Sequence, residues 1–198
     1  MYGRIDFLPS LWILHLTFDM KNLLLFSACV LALSAAAAET NSPAPAEDRV
    51  GFPKDYAKTC EVLRTVNRDE GKKVVTVYGN AQAASVTNRG QLPYPNGSVL
   101  VMETASTLKA ADGKALTGSS GALQKDKVLG LHVMRRGKDF GAAYATKRSG
   151  EWEFVEYRAD GSYITPPQKS ASCAECHIKA GAEKDFVYKG RLAETEKK

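Results

Sequence analysis

A Cys-x-x-Cys-His motif lies near the C-terminus, as Cys173-Ala174-Glu175-Cys176-His177. Two thiols at this spacing can bond to the two vinyl groups of a haem while the adjacent imidazole ligates its iron. Zinc knuckles and thioredoxin-like dithiols share part of the pattern, but a zinc site needs further ligands and a redox dithiol follows an early strand. The motif therefore predicts one covalent haem c, attached at Cys173 and Cys176, with His177 as the metal ligand.

The N-terminal region predicts export. Lys21 follows Met20, an apolar run covers 23–33, and small residues lead up to Ala38. We interpret 20–38 as a signal peptide cleaved near Ala38 and 1–19 as an over-long start. The mature protein is then periplasmic and has no stable membrane span, because the apolar run is too short for one. A retained membrane anchor is the alternative.

Residue patterns in the mature chain predict a single α+β domain, with a mainly antiparallel β-sheet and a few flanking helices. Residues 39–51 are polar and contain prolines, which predicts a flexible lead-in. The haem domain is expected over 52–192, followed by a charged tail at 193–198. The predicted elements are a helix from 52–55 to about Arg68, a short helix at 80–87, and strands at 74–78, 98–104, 128–135, 141–146 and 151–158, the last with a bulge.

Cys60 falls inside the first predicted helix. Tyr56, Cys60, Leu63 and Val66 follow helical spacing there. We therefore expect Cys60 to be a small buried hydrophobe and not a reactive thiol.

A second axial ligand must come from upstream of the motif, because the chain after His177 contains neither Met nor His. The candidates are Met102, His132 and Met134. Strand alternation places Met102 on the face of Leu100, and His132 with Met134 opposite the aliphatic residues of their strand. One sheet face should carry the aliphatic core and the other a haem pocket. Surface exposure of His132 and ordinary packing of the methionines remain open.

The charge balance bears on partners. The chain carries 27 basic and 22 acidic side chains, a formal net charge of +5. This excess fits docking to an acidic partner or contact with anionic surfaces, and a redox partner protein is expected. It is too small and too scattered to indicate a nucleic-acid-binding protein.

From about Phe52 to Leu192 the chain resembles the cytochrome P-460 family, which includes the cytochromes c′-beta. The resemblance rests on the order of several segments around the C-terminal haem motif. These are Phe52-Pro53-Lys54-Asp55-Tyr56, Tyr94-Pro95-Asn96-Gly97-Ser98-Val99-Leu100-Val101-Met102-Glu103, Val128-Leu129-Gly130-Leu131-His132-Val133-Met134, Trp152-Glu153-Phe154-Val155-Glu156-Tyr157, Cys173-Ala174-Glu175-Cys176-His177 and Asp185-Phe186-Val187-Tyr188.

The resemblance implies a β-rich homodimer with five-coordinate haem, a proximal His and an open distal side. Members bind nitric oxide, and some oxidise hydroxylamine with the help of a lysine cross-linked to the haem. That lysine corresponds to Met102 here, and a thioether cannot replace an amine in such a bond. The relatives' distal carboxylate corresponds to His132, which implies a distal proton relay or an iron ligand at that position.

Two functions follow as hypotheses. The first is a haem protein that binds nitric oxide or a related small ligand, with Met102 and His132 lining the distal side. Such a protein can be an oxidoreductase acting on hydroxylamine or nitric oxide, although Met102 weakens that assignment. The second is a six-coordinate electron-transfer cytochrome with His132 or Met102 as the distal ligand. A cross-link from a tyrosine is a third possibility that would restore oxidase activity.

Overall fold

The computed structural model describes residues 42–68, 70 and 72–188. Within these residues one antiparallel sheet contains six strands, and each strand pairs with the next along the chain. This arrangement confirms the α+β prediction. The strands are β1 (Glu61–Arg68), β2 (Lys73–Gly79), β3 (Val99–Thr107), β4 (Lys125–Arg136), β5 (Trp152–Tyr157) and β6 (Tyr163–Thr165).

The helices of the described chain are short. They are α1 (Tyr56–Thr59), α2 (Ala81–Ala84) and α3 (Ala171–Ile178), with 3₁₀ turns at Arg89–Gln91, Ala142–Lys147, Pro167–Lys169 and Ala182–Lys184. The Asn80 side chain caps α2 by accepting a hydrogen bond from the Ala83 N–H at 3.0 Å. The Cys-x-x-Cys-His motif lies on α3.

The predicted helix reaching Arg68 is wrong beyond its first turn. It ends at Thr59, and the residues after Cys60 form β1. β1 pairs with β2, and the register shifts between Val62 and Arg64, so Leu63 is an extra residue. This bulge interrupts the alternation and makes the apolar spacing look helical. Pairing with β2 outweighs that spacing.

The predicted strand at 141–146 is also wrong, because this segment forms the 3₁₀ turn Ala142–Lys147. Gly141 begins it with a φ of 77°, and a Cβ there would lie 2.6 Å from the Gly150 carbonyl oxygen. Tyr144 is fully buried, and its hydroxyl lies 2.8 Å from Ser170 Oγ. The alanines around Tyr144 lack the branched side chains that favour strands.

The other predicted strands are confirmed, with shifted ends, as β2, β3, β4 and β5. β6 was not predicted. The bulge predicted in β5 does not affect its pairing with β4, which is regular. The register instead shifts between Glu156 and Tyr157 where β5 pairs with the short β6.

Both faces of the sheet are covered. One carries the predicted aliphatic core, and the opposite face carries a second buried cluster. Val77, Leu100, Met134 and Phe154 belong to a buried cluster that includes residues of α3. The opposite cluster contains Tyr78, Val99, Val101, Leu131, Val133, Val155 and Tyr157, and Val50, Phe52 and Tyr56 pack there. The face assignment of Met102, His132 and Met134 is confirmed by the register, which pairs Met102 with His132 and Leu100 with Met134.

Part of the predicted flexible lead-in packs against the sheet. Val50 is 1% exposed, and the Asp48 carboxylate accepts hydrogen bonds from the hydroxyls of Tyr157 at 2.6 Å and Tyr163 at 3.0 Å. Arg49 pairs with the buried Glu153. The packed body therefore begins before Phe52, because these polar contacts fix residues whose composition alone predicts flexibility.

The predicted start extension at 1–19, the signal peptide at 20–38 and the charged tail at 193–198 lie outside the described residues. Within residues 42–188, apart from 69 and 71, no helix has the length and apolar character needed to cross a membrane.

Candidate haem site

A cavity of about 450 Å³ opens between α3 and the face of the sheet that carries Val77, Leu100, Met134 and Phe154. This face is called the site face, and its buried residues form the site-face cluster. Its size falls within the roughly 300–1,000 Å³ of small-molecule and cofactor pockets. Most of its surface is apolar. The lining residues are Val77, Leu100, Met102, His132, Val133, Met134, Phe154, Val155, Glu156, Ser172, Cys173, Cys176, His177, Val187 and Tyr188.

Both thiols of the predicted motif face this cavity. Cys173 and His177 are four residues apart on α3 and therefore share one side of the helix. Cys173 is partly buried, and burial raises the pKa of its thiol, whereas Cys176 is exposed. Within the described chain neither thiol belongs to a disulfide. Two reduced thiols thus lie on one wall of an apolar cavity.

Small residues set α3 close to the sheet. Ala171 and Ala174 are buried in the site-face cluster. Ser170, which precedes the helix, is fully buried, and its hydroxyl donates to the Pro167 carbonyl at 2.7 Å. The alanines let the helix approach the strands, while Cys173, Cys176 and His177 line the cavity beside this contact.

The His177 ring has a defined orientation. Its Nδ1 lies 2.7 Å from the Phe186 carbonyl oxygen. A carbonyl can only accept a hydrogen bond, so Nδ1 carries the proton and Nε2 carries the lone pair used for metal ligation. The ring centroid lies 4.6 Å from that of Phe154 and 5.6 Å from that of Tyr188. This arrangement is typical of a metal-ligating histidine.

The sheet wall brings the three upstream candidates to the same cavity. Met102, His132 and Met134 all line it. Met134 is buried within the site-face cluster, and Met102 packs against that cluster while partly exposed. The His132 side chain is 46% exposed, and its Nε2 lies 3.2 Å from Glu156 Oε1. The residues predicted from sequence thus converge, although they come from widely separated parts of the chain.

Glu156 is a site residue that was not predicted from the sequence. Its Oε1 faces His132, and its Oε2 accepts a hydrogen bond from Thr165 Oγ1 at 3.0 Å. Alternation in β5 places it on the face of Phe154, and the register pairs it with His132. That parity is a signal available in the sequence. Tyr188 was also not assigned to the pocket, and its hydroxyl donates to the Cys176 carbonyl at 2.9 Å.

Cys60 is not among the residues that line the cavity. It is partly buried and packs against the opposite cluster, in partial agreement with the predicted buried hydrophobe. Within the described part of the chain, no group of three or more His, Cys, Asp or Glu side chains has an arrangement that could hold a metal ion. The zinc alternative therefore gains no support from the geometry.

The residues present fit a c-type haem. The cavity offers apolar side chains for a macrocycle, two thiols on one wall, and an imidazole whose Nδ1–H is already engaged. Cys173 and Cys176 would hold the haem covalently, and His177 would ligate the iron.

Comparisons with known proteins place the chain in a family. A search of curated proteins finds no significant match. The family model for cytochrome P460 matches residues 53–189, which is most of the chain and includes every residue discussed at the cavity. The chain therefore belongs to the cytochrome P460 family.

Proposed function

We propose that this protein is a periplasmic mono-haem c-type cytochrome that binds nitric oxide or a related small ligand at an open or weakly occupied distal site. The observation that carries the proposal is the single cavity shared by Cys173, Cys176, His177 and the His132–Glu156 pair. The bound haem would supply an iron for ligand binding and one-electron chemistry. Family membership supports a haem c protein of nitrogen-oxide chemistry.

The chain's own residues have separate tasks in this proposal. Cys173 and Cys176 anchor the cofactor, and His177 ligates the metal through Nε2. On the sheet wall the aliphatic and aromatic side chains supply most of the apolar lining that would contact the cofactor. His132 and Glu156 are the polar groups that the sheet contributes, and they form a route along which a proton can move to or from a bound ligand.

The contact with Glu156 favours a relay role for His132. When His132 Nε2 donates to the carboxylate 3.2 Å away, that nitrogen carries a proton and has no lone pair for a metal. The partial exposure of the imidazole gives the relay access to solvent. We therefore infer that His132 exchanges protons and does not close the iron site.

Met102 makes hydroxylamine oxidation the less favoured activity. It stands where the resemblance implies a cross-linking lysine, and its sulfur cannot form that amine bond. Tyr188 is the tyrosine among the lining residues, and its hydroxyl is engaged with the Cys176 carbonyl. We propose ligand binding as the primary activity, with any turnover of a nitrogen oxide dependent on His132 and Glu156.

A six-coordinate electron carrier is the second candidate function. The observation in its favour is that Met102 and His132 line the same cavity as His177. In that case one of these side chains would be the distal ligand, and the protein would exchange electrons with a partner protein without binding a small molecule. Docking to an acidic redox partner and homodimerisation belong to the proposal under either function.

The ferric spectrum of the haem-loaded protein tests the proposal. A high-spin spectrum with rapid nitric oxide uptake is expected, whereas a low-spin spectrum that does not respond to nitric oxide would overturn it. His132→Ala should leave the iron high-spin. Conversion from low-spin to high-spin by His132→Ala or by Met102→Ala would identify the distal ligand of an electron carrier.

The relay is tested with the matched substitution Glu156→Gln, which keeps the size and removes the charge. It should leave the nitric oxide affinity within a few-fold of wild type and slow any proton-coupled turnover. Equal turnover in wild type, Glu156→Gln and His132→Ala would contradict the relay.

A further inference from the structure

The carbonyl that orients His177 belongs to a backbone segment with an uncommon conformation. Phe186 has a φ of 61° and the preceding Asp185 a φ of 47°. Two consecutive non-glycine residues in the left-handed region persist only where the surrounding structure holds them. The direction of the Phe186 carbonyl, and with it the His177 hydrogen bond, therefore depends on the contacts of this segment.

Asp185 makes the contacts that hold the segment to the sheet end. Its Oδ2 accepts a hydrogen bond from the Tyr94 N–H at 3.0 Å and lies 3.3 Å from Arg136 Nε. Its backbone carbonyl accepts from Trp152 Nε1 at 2.9 Å. Asp185, Tyr94 and Trp152 are all buried. The Asp185 carboxylate thus ties the turn to the loop before β3 and to the end of β4, and its backbone carbonyl ties the turn to the start of β5.

The neighbouring turn supports the same segment from the other side. A Cβ at Gly150 would lie 2.9 Å from the Phe186 ring, so the ring packs directly on that glycine. Glu151, the next residue, pairs with Arg136 Nη2 at 2.9 Å. Arg136 therefore bridges Asp185 and Glu151, and the two carboxylates hold its guanidinium in place.

We propose that Asp185 is a positioning residue that sets the donor strength of His177. It acts through the Phe186 carbonyl, because a hydrogen bond to Nδ1–H increases the electron density on the ligating imidazole. This inference rests on the proposed ligation of iron by His177 and is independent of the distal ligand. Loss of Asp185 would let the turn relax, weaken the Nδ1–H···O=C bond and make His177 a poorer donor.

The test uses the haem-loaded protein with the variants Asp185→Ala and Asp185→Asn. The expected results for Asp185→Ala are a more positive midpoint potential and a lower Fe–His stretching frequency in the ferrous resonance Raman spectrum. Asp185→Asn can retain the Tyr94 hydrogen bond and should show smaller shifts in the same directions. Asp160→Ala is the control, because within the described residues the Asp160 carboxylate accepts hydrogen bonds only from Ser162, in a turn after β5.

Trp152→Phe tests the positioning role of Asp185 if Asp185→Ala does not accumulate as a folded protein. It removes the hydrogen bond to the Asp185 carbonyl while keeping an aromatic ring, so both observables should move as in Asp185→Asn. Potentials and frequencies equal to those of wild type and Asp160→Ala would overturn the positioning role. Because the Fe–His band requires five-coordinate ferrous iron, its absence in the wild type would contradict the open distal site of the proposed function, and the midpoint potentials alone would then decide the positioning role.

Discussion

His177 is constrained on several sides. The Phe186 carbonyl accepts a hydrogen bond from its Nδ1–H, and the rings of Phe154 and Tyr188 lie against the imidazole. The two cysteines of the motif are less constrained, since Cys176 is exposed and Cys173 only partly buried. Such access would suit the covalent haem attachment proposed for these two thiols.

Covalent attachment is predicted at these two thiols. The mass of the denatured protein should exceed that of the mature polypeptide by one haem. Cys173→Ala and Cys176→Ala should each leave one thioether at most and reduce the yield of haem-loaded protein. Cys60→Ala is the control, because Cys60 packs on the opposite face and should retain the full mass. A full haem mass in the double variant Cys173→Ala/Cys176→Ala would contradict the assignment.

Gly141→Ala should destabilise the protein through backbone strain and a clash. The added Cβ would meet the Gly150 carbonyl oxygen at 2.6 Å, at a φ of 77°. We expect a loss of about 2–4 kcal/mol in the free energy of unfolding, measured by chemical denaturation. Gly113→Ala is a matched control, since its φ is 81° and no atom lies within 4 Å of the added Cβ. Equal losses in the two variants would show that the clash has no effect.

At the scale of elements, β1 is an edge strand that pairs only with β2 in the described sheet. Leu63 is the extra residue of its bulge and reaches the site-face cluster, where it is 8% exposed. Its side chain would contact any Cβ placed at Gly79, so β2 and Leu63 fit closely. The bulge directs the apolar side chain of Leu63 from a largely exposed strand towards the core.

Leu63→Ala should therefore destabilise the protein more than a substitution of an exposed residue in the same edge strand. We expect a loss of about 2–5 kcal/mol in the free energy of unfolding, because a cavity remains in a buried cluster. Val62→Ala in the same strand is the control, since Val62 is 53% exposed and should change stability by about 0.5 kcal/mol or less. Similar losses in both variants would contradict the assigned bulge.

For the molecule as a whole, buried polar groups on both sides of the sheet form hydrogen bonds with neighbouring elements. Glu103 accepts hydrogen bonds from Tyr56 and Lys125 on one side of the sheet. Near α3, Tyr144 links its 3₁₀ turn to Ser170 and to the Phe154 N–H. Burial raises the pKa of several tyrosines that make such contacts, among them Tyr56 and Tyr157.

Stability should consequently decline at alkaline pH. Burial raises the pKa of Tyr144 to about 12, from an ordinary value of 10.0. The folded state favours the protonated phenol, so this contribution is complete below pH 10 and is lost as the pH rises towards 12. We expect a loss on the order of 2 kcal/mol from this group, measured by chemical denaturation across that range.

Tyr144→Phe is the matched variant for the pH experiment. It should be less stable at neutral pH, because the hydrogen bonds of the hydroxyl are lost, but its stability should fall less steeply between pH 10 and 12. Parallel pH profiles for wild type and Tyr144→Phe would contradict the assignment of the effect to this phenol.

Short-range pattern was sufficient for part of this molecule. The Cys-x-x-Cys-His spacing predicted that Cys173, Cys176 and His177 lie together in the site, since the three residues fall within one and a half turns of α3. Alternation predicted β2 to β5 and the face shared by His132 and Met134, because side-chain direction in a strand has a period of two.

Tertiary structure decided the rest. β1 and the turn at 142–147 follow from pairing and burial, which outweigh local spacing. Glu156 joined the site because strand register sets it opposite His132. The Phe186 carbonyl orients His177 because the adjacent Asp185 is bonded to the distant Tyr94 and Trp152. A sequence records which groups are available, whereas the distances between remote groups arise only when the chain is packed.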